Sequence, residues 1–153
     1  MRHIDVAEAK LPLLARLPRD PALVLAGGLL SLGHWGAGEP MLALWLDTDS
    51  LCMRSLVVSA ADCSPDDCVG MALDALAEAC LHPADTPADI LSSRPRTVCL
   101  LPRLPGRVQV NHVALSDATR ALLAPLGVAV EHVTTLPLFD QACAMVCAVV
   151  GVG

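Results

Sequence analysis

Ser64-Pro-Asp-Asp-Cys-Val-Gly-Met-Ala-Leu-Asp-Ala-Leu-Ala-Glu-Ala-Cys-Leu-His82 is where the chain changes its period. Serine is a good N-cap, proline is tolerated at the first helical position, and Asp66 and Asp67 fall where the helix dipole favours negative charge. The stretch predicts a helix ending at about His82. Val69, Ala72, Leu73, Leu76 and Cys80 recur at helical spacing on one stripe, with Asp67, Asp74 and Glu78 opposite.

What precedes this helix reads as strand. Leu23 to Leu32 is a continuous aliphatic run interrupted by Gly27-Gly28, which predicts a buried strand with a bulge or a close backbone approach. Met41 to Leu46 and Cys52 to Val58 flank the turn residues Asp47-Thr-Asp-Ser50, which predicts a hairpin and hence three consecutive antiparallel strands. Residues 1–20 read as a broken helical lead-in, with Asp5-x-x-Glu8 as a capping box and Pro12 as the interruption. The remainder, 21–153, reads as one α/β domain.

After the helix, strand and helix alternate. Pro83 to Arg96 reads as a loop, and Thr97 to Leu101 and Arg107 to Asn111 as strands, the second joining the main sheet. Ser116 reads as the cap of a helix reaching about Leu126 and stopped by Gly127; Val128 to Val133 is the next strand. Pro137 opens a last helix whose Phe139, Ala142, Cys143, Val146, Cys147 and Val150 form an apolar stripe. Alternation of this kind implies parallel strands joined by crossover helices.

Composition bounds the class. The chain has 153 residues, 54% apolar and 17% charged, which excludes intrinsic disorder and suits one domain with a sizeable core. Ten basic and sixteen acidic residues give a net charge of −6, which disfavours nucleic acid and anionic membranes as partners. The longest uncharged apolar runs, Ala22 to Gly33 and Ala142 to Gly153, are twelve residues each, short of the roughly 20 needed to span a bilayer. The start carries no apolar stretch of signal-peptide length, and the seven cysteines are odd in number and mostly set among aliphatic residues. Free thiols in a reducing cytoplasm are expected.

The order of three strands followed by helix, strand, helix, strand, helix resembles that of the ribonuclease H-like fold used by integrases and many transposases. From Arg107 onward, Arg107-Val-Gln-Val110, Leu122-Leu-Ala-Pro-Leu-Gly127-Val-Ala-Val130 and Leu136-Pro-Leu-Phe-Asp140 also resemble a bacterial family of uncharacterised domains, over about the last third of the chain. The first resemblance implies a nuclease site of about four carboxylates around two divalent ions, one of them in the middle of the first strand. That strand carries Gly27-Gly28 instead. The end of the fourth strand offers Asn111-His112 rather than an aspartate, while Asp140 stands where a last acid is sought. The acids left for a nuclease or other phosphoryl-transfer enzyme are Asp47, Asp74 and Asp140.

Other constellations read as structural. Asp47 and Asp49 suit either a cation or an ordinary hairpin turn, and the turn is favoured. Cys63, Cys68, Cys80 and His82 are soft ligands. Yet Cys68 and Cys80 lie about 18 Å apart along one helix at 1.5 Å per residue, so they cannot share a zinc ion. Cys143 and Cys147 fall on an apolar stripe. No nucleophile elbow, dinucleotide fingerprint or phosphate-binding loop occurs. The glycine-rich Gly33 to Gly38 segment leaves a small-molecule binding domain as a further alternative. No cofactor or metal is expected.

Charge is unevenly placed. From Glu39 to Asp89 there are ten acids and one base, Arg54, whereas Arg94, Arg96, Arg103 and Arg107 follow with no acid between them. Those arginines are candidates for gripping a partner's carboxylates, and Met145 and Val149 for an apolar patch left over from the last helix. The function expected is a non-catalytic protein-interaction or scaffold module, binding a protein partner or itself as a homodimer.

Overall fold

The computed structural model describes residues 7–33, 38–49, 52–83 and 101–148, with the backbone of the last helix continuing to 150. Five strands form one open mixed sheet: β1 (Arg19–Ser31), β2 (Met41–Asp47), β3 (Met53–Val58), β4 (Leu104–Val110) and β5 (Ala129–His132). The helices are α1 (Leu11–Leu14), α2 (Pro65–Leu81), α3 (Val113–Leu123) and α4 (Pro137–Val150). The strand order is β3-β2-β1-β4-β5. β2 runs antiparallel to both its neighbours, while β1, β4 and β5 are parallel. The expected α/β architecture, three antiparallel strands and then alternating helix and strand, is the observed one.

Side-chain alternation along the strands feeds two cores. Leu23, Leu25 and Leu29 of β1, Ala43 and Trp45 of β2, and Val108 and Val110 of β4 pack beneath α2 and α3. Ala26 together with Leu42, Leu44 and Leu46 packs beneath Phe139, Ala142, Cys143 and Val146 of α4. Trp45 donates its indole N–H to the carbonyl of Ala72 at 2.9 Å, which fixes α2 over the sheet without leaving a buried donor unpaired.

The Ser64 cap is observed, its hydroxyl accepting the Asp67 N–H at 3.2 Å. Gly127 ends the second crossover in a left-handed conformation at φ 76°, which glycine adopts without steric cost. Three local readings change. β1 starts four residues earlier than expected, at Arg19, and its register irregularity falls between Asp20 and Val24, not at the glycines. The cap of α3 is His112, whose Nδ1 accepts the Leu115 N–H at 3.2 Å, and not Ser116, which is buried one turn inside the helix. The fourth strand begins at Leu104, three residues ahead of expectation, and 97–100 lie outside the described residues.

The lead-in joins the core. Ala7 and Leu14 are fully buried, and Lys10 pairs with both Asp74 and Glu78 on the outer face of α2. Asp5, the first residue of the expected capping box, lies outside the described residues.

Candidate functional site

Asp47, Asp74 and Asp140 are held by three different elements, each with its own local partners or exposure. Asp47 is buried at the end of β2, 4.0 Å from the Arg54 guanidinium, and its Oδ1 accepts the Asp49 N–H at 2.9 Å. Asp74 is paired with Lys10. Asp140 is exposed in the first turn of α4. Among the described residues no three histidine, cysteine or acidic side chains come together in a way that would hold a metal ion.

Two positions at which the resemblance seeks acids are nonetheless brought together. Asn111, directly after β4, lays its amide on Gly28 of β1: a Cβ at Gly28 would overlap Asn111 Oδ1 and lie 2.6 Å from its Cγ. That oxygen is buried without a hydrogen-bond donor. Gly27 is covered in the same manner from the opposite face, where a Cβ would lie 2.7 Å from Cδ2 of the Trp45 ring. The glycine pair therefore serves close approach, the second of the two expectations for it.

Arg54 is the one buried cation among the described residues, 3% exposed on an outer strand. Its Nε donates to the Ala79 carbonyl at 2.9 Å and its Nη2 to the Leu101 carbonyl at 2.7 Å. Burial lowers its pKa from the ordinary arginine value, opposed by the neighbouring Cys80 and Asp47. Arg54 thus ties β3 to the last turn of α2 and to the segment entering β4. It has no access to a ligand.

Of the arginine pole, Arg94 and Arg96 lie outside the described residues. Arg103 reaches Asp20 at 3.2 Å and Arg107 reaches Glu131 at 3.0 Å, both partly exposed. These two arginines answer acids of neighbouring strands. Met145 is 42% exposed on α4, and the side chain of Val149 lies outside the described residues.

Two features missed by the sequence reading stand out. A cleft of about 390 Å³ opens where β1 and β4 finish and β2 begins, lined among others by Glu39, Met41, Asp62, Cys63, Cys68 and His112. Burial and a hydrogen bond with Cys68 push the Cys63 thiol up to about 11. The fully enclosed Cys80 is pushed to about 12 by burial alone against the opposing charge of Arg54, which marks it as a core thiol. Cys143, in the α4 core, is likewise raised to about 12 by burial. Four of the Gly33–Gly38 residues, 34–37, lie outside the described residues; of the described ones, Gly38 lines the cleft.

The second feature is the outer strand. β3 ends in three successive apolar residues, Leu56, Val57 and Val58, exposed by 41%, 39% and 53%. Leu56 and Val58 stand opposite Leu44 and Leu42 and so belong to the α4 side of the sheet. A register shift between Trp45 and Leu46 on β2 accompanies the inward turn of Arg54 and of Ser55, whose hydroxyl donates to the Ala75 carbonyl at 2.7 Å.

No protein-family model matches the sequence, and no curated protein matches it. A chain of the cryo-electron-microscopy structure of the simian T-cell lymphotropic virus intasome, in complex with the PP2A regulatory subunit B56 gamma, is similar at 16% identity and a TM-score of 0.42. The similarity covers 89% of this chain and 42% of that one. The strand order and directions, not this likeness, define the fold as a mixed α/β sheet. Among the described residues no helix is long and apolar enough to cross a membrane.

Proposed function

We propose that the chain is a non-catalytic interaction module, built on a ribonuclease H-like scaffold, that associates with a second copy of itself through β3. The scaffold reading is supported by a sheet in which β2 alone is reversed, with α2 and α3 packed on one face and α4 on the other. The observation that carries the function is the exposed Leu56-Val57-Val58 end of the outermost strand. Edge strands of monomeric proteins are ordinarily blunted by an outward charge, a proline or a cover. On β3 the inward-turned Arg54 and the register shift beside it lie at the start of the strand, and the Leu56-Val57-Val58 end carries neither a charge nor a proline.

Antiparallel pairing of two β3 strands satisfies two-fold symmetry: with the axis at Val57, Leu56 of each copy faces Val58 of the other, and no charged side chain lies among these residues. Leu56 and Val58 of both copies would then meet on the α4 side of a continuous sheet, where Met145 adds apolar surface.

Sedimentation equilibrium at micromolar concentration tests this. A dimer is expected for the wild type, and a monomer with an unchanged far-ultraviolet spectrum for the Leu56→Lys, Val58→Lys double variant. A monomeric wild type, or a dimer indifferent to both lysines, overturns the reading. Manganese-dependent cleavage of nucleic acid by the purified chain would overturn its non-catalytic part.

A further inference from the structure

The start of α2 places two thiols together. With Ser64 as N-cap, Cys63 is the residue before the cap and Cys68 the fourth of the helix. These are the positions whose side chains meet when a hydrophobic staple fixes the angle at which a chain enters a helix. The Cys68 thiol donates to the Cys63 carbonyl oxygen at 3.9 Å, which holds it against the residue before the cap. Both are reduced, and both line the cleft that Asp62 and His112 also border. Cys63 is half-buried and Cys68 buried. Cys143 and Cys147, by contrast, are one turn apart within a regular helix, with Cys143 enclosed in the α4 core.

We propose that Cys63 and Cys68 are a dithiol–disulfide site that exchanges with low-molecular-weight disulfides entering the cleft. The Cys63 thiol, the more accessible of the two, gives its proton to solvent, and its thiolate attacks one sulfur of the incoming disulfide. A mixed disulfide forms on Cys63 and one thiolate leaves. Cys68, deprotonated in turn, attacks the Cys63 sulfur, which forms the Cys63–Cys68 bond and expels the second thiolate. Two cysteine thiols are oxidised, one small disulfide is reduced to two thiols, and the two cysteine protons end on the released thiols.

The closed bond ties the turn before α2 to its first turns and so fixes the wall of the cleft that carries Ala61 and Asp62. The high pKa of Cys63 makes the first attack slow near neutral pH and faster as pH rises. The second step is intramolecular across six residues and outruns it.

The full chain, incubated with excess oxidised glutathione at mildly alkaline pH and quenched in acid, is read by intact mass and peptide fragmentation. The expected product has lost two hydrogen masses, retains no glutathione, and carries the bond between Cys63 and Cys68. The Cys63→Ser variant should show neither the bond nor glutathione on the buried Cys68. Cys68→Ala should accumulate glutathione on Cys63, and Cys80→Ala should behave as wild type. A wild type that stays reduced, that holds glutathione on Cys63, or that bridges a different pair overturns the proposal.

Discussion

The side-chain amide of Asn111 rests on the backbone of Gly28, filling the space a side chain on that central strand would take. Because Asn111 Oδ1 accepts no hydrogen bond, the contact is one of shape. Gly28→Ala is therefore expected to destabilise by about 1–3 kcal/mol, the usual cost of overpacking. Asn111→Ala alone should cost less, since it removes an unpaired buried oxygen. Combined with Gly28→Ala it should recover most of the loss, a coupling that urea denaturation of the four proteins measures directly. Equal, additive losses would show that the two residues do not share this space.

Gly27→Ala should be worse than Gly28→Ala. Its Cβ would overlap the Leu44 carbonyl oxygen and Trp45 Cε3, and backbone plus an indole anchored by its own hydrogen bond cannot step aside as an asparagine tip can. A loss at the upper end of the same range or beyond is expected, accompanied by a shift of Trp45 fluorescence.

Asp47 and Arg54 predict a structural role for the acid that the enzymatic reading would have used. Asp47→Asn removes the carboxylate that faces a buried guanidinium and should cost about 1–3 kcal/mol. Arg54→Met leaves the Ala79 and Leu101 carbonyls without that donor and should cost about 3–5 kcal/mol. Millimolar manganese should leave the melting temperature of the wild type unchanged, and a rise of several degrees that Asp47→Asn abolishes would restore Asp47 to a metal site.

How much of this was legible depends on the range over which each residue acts. The Ser64-Pro65-Asp66-Asp67 start, the β2–β3 hairpin and the Gly127 stop are decided within a few residues, and sequence reading finds them. Sequence reading puts the cap of α3 at Ser116, because serine caps far more often, whereas His112 holds that position. Nothing local shows that the helix begins four residues earlier, burying Ser116 and leaving the imidazole in the capping position. Periodicity puts Asp74 and Glu78 away from the apolar stripe, where they lie, but their partner Lys10 is 64 and 68 residues distant and invisible to it. Leu56-Val57-Val58 reads like any core strand. That it lies at the edge is a property of the sheet order. The Cys63/Cys68 staple was within reach, since recognising Ser64 as the cap fixes both positions.

The Lys10 cluster gives stability a defined pH dependence. The hydrogen bond from Lys10 holds the Glu78 carboxyl below the usual glutamate range, with the nearby His82 ring adding to the effect against partial burial. A depressed carboxylate contributes stability above its unfolded pKa, and that contribution is lost as pH falls through the folded value. Burial lowers the Lys10 pKa, but hydrogen bonds and charge from Asp74 and Glu78 outweigh it and the net shift is upward. A raised lysine contributes stability that is complete below its unfolded pKa near 10.5 and disappears as pH climbs through the folded value. The docked lead-in should therefore loosen at both extremes, below about pH 4.5 and above about pH 10.5. Lys10→Ala should cost about 1 kcal/mol at neutral pH and flatten both limbs, since these partly exposed pairs are screened by solvent. Lys10→Arg should keep the acid limb and abolish the alkaline one, because arginine does not titrate there. Thermal melts of the three proteins across the range check the assignment, and an alkaline limb that persists in Lys10→Arg would place its origin elsewhere.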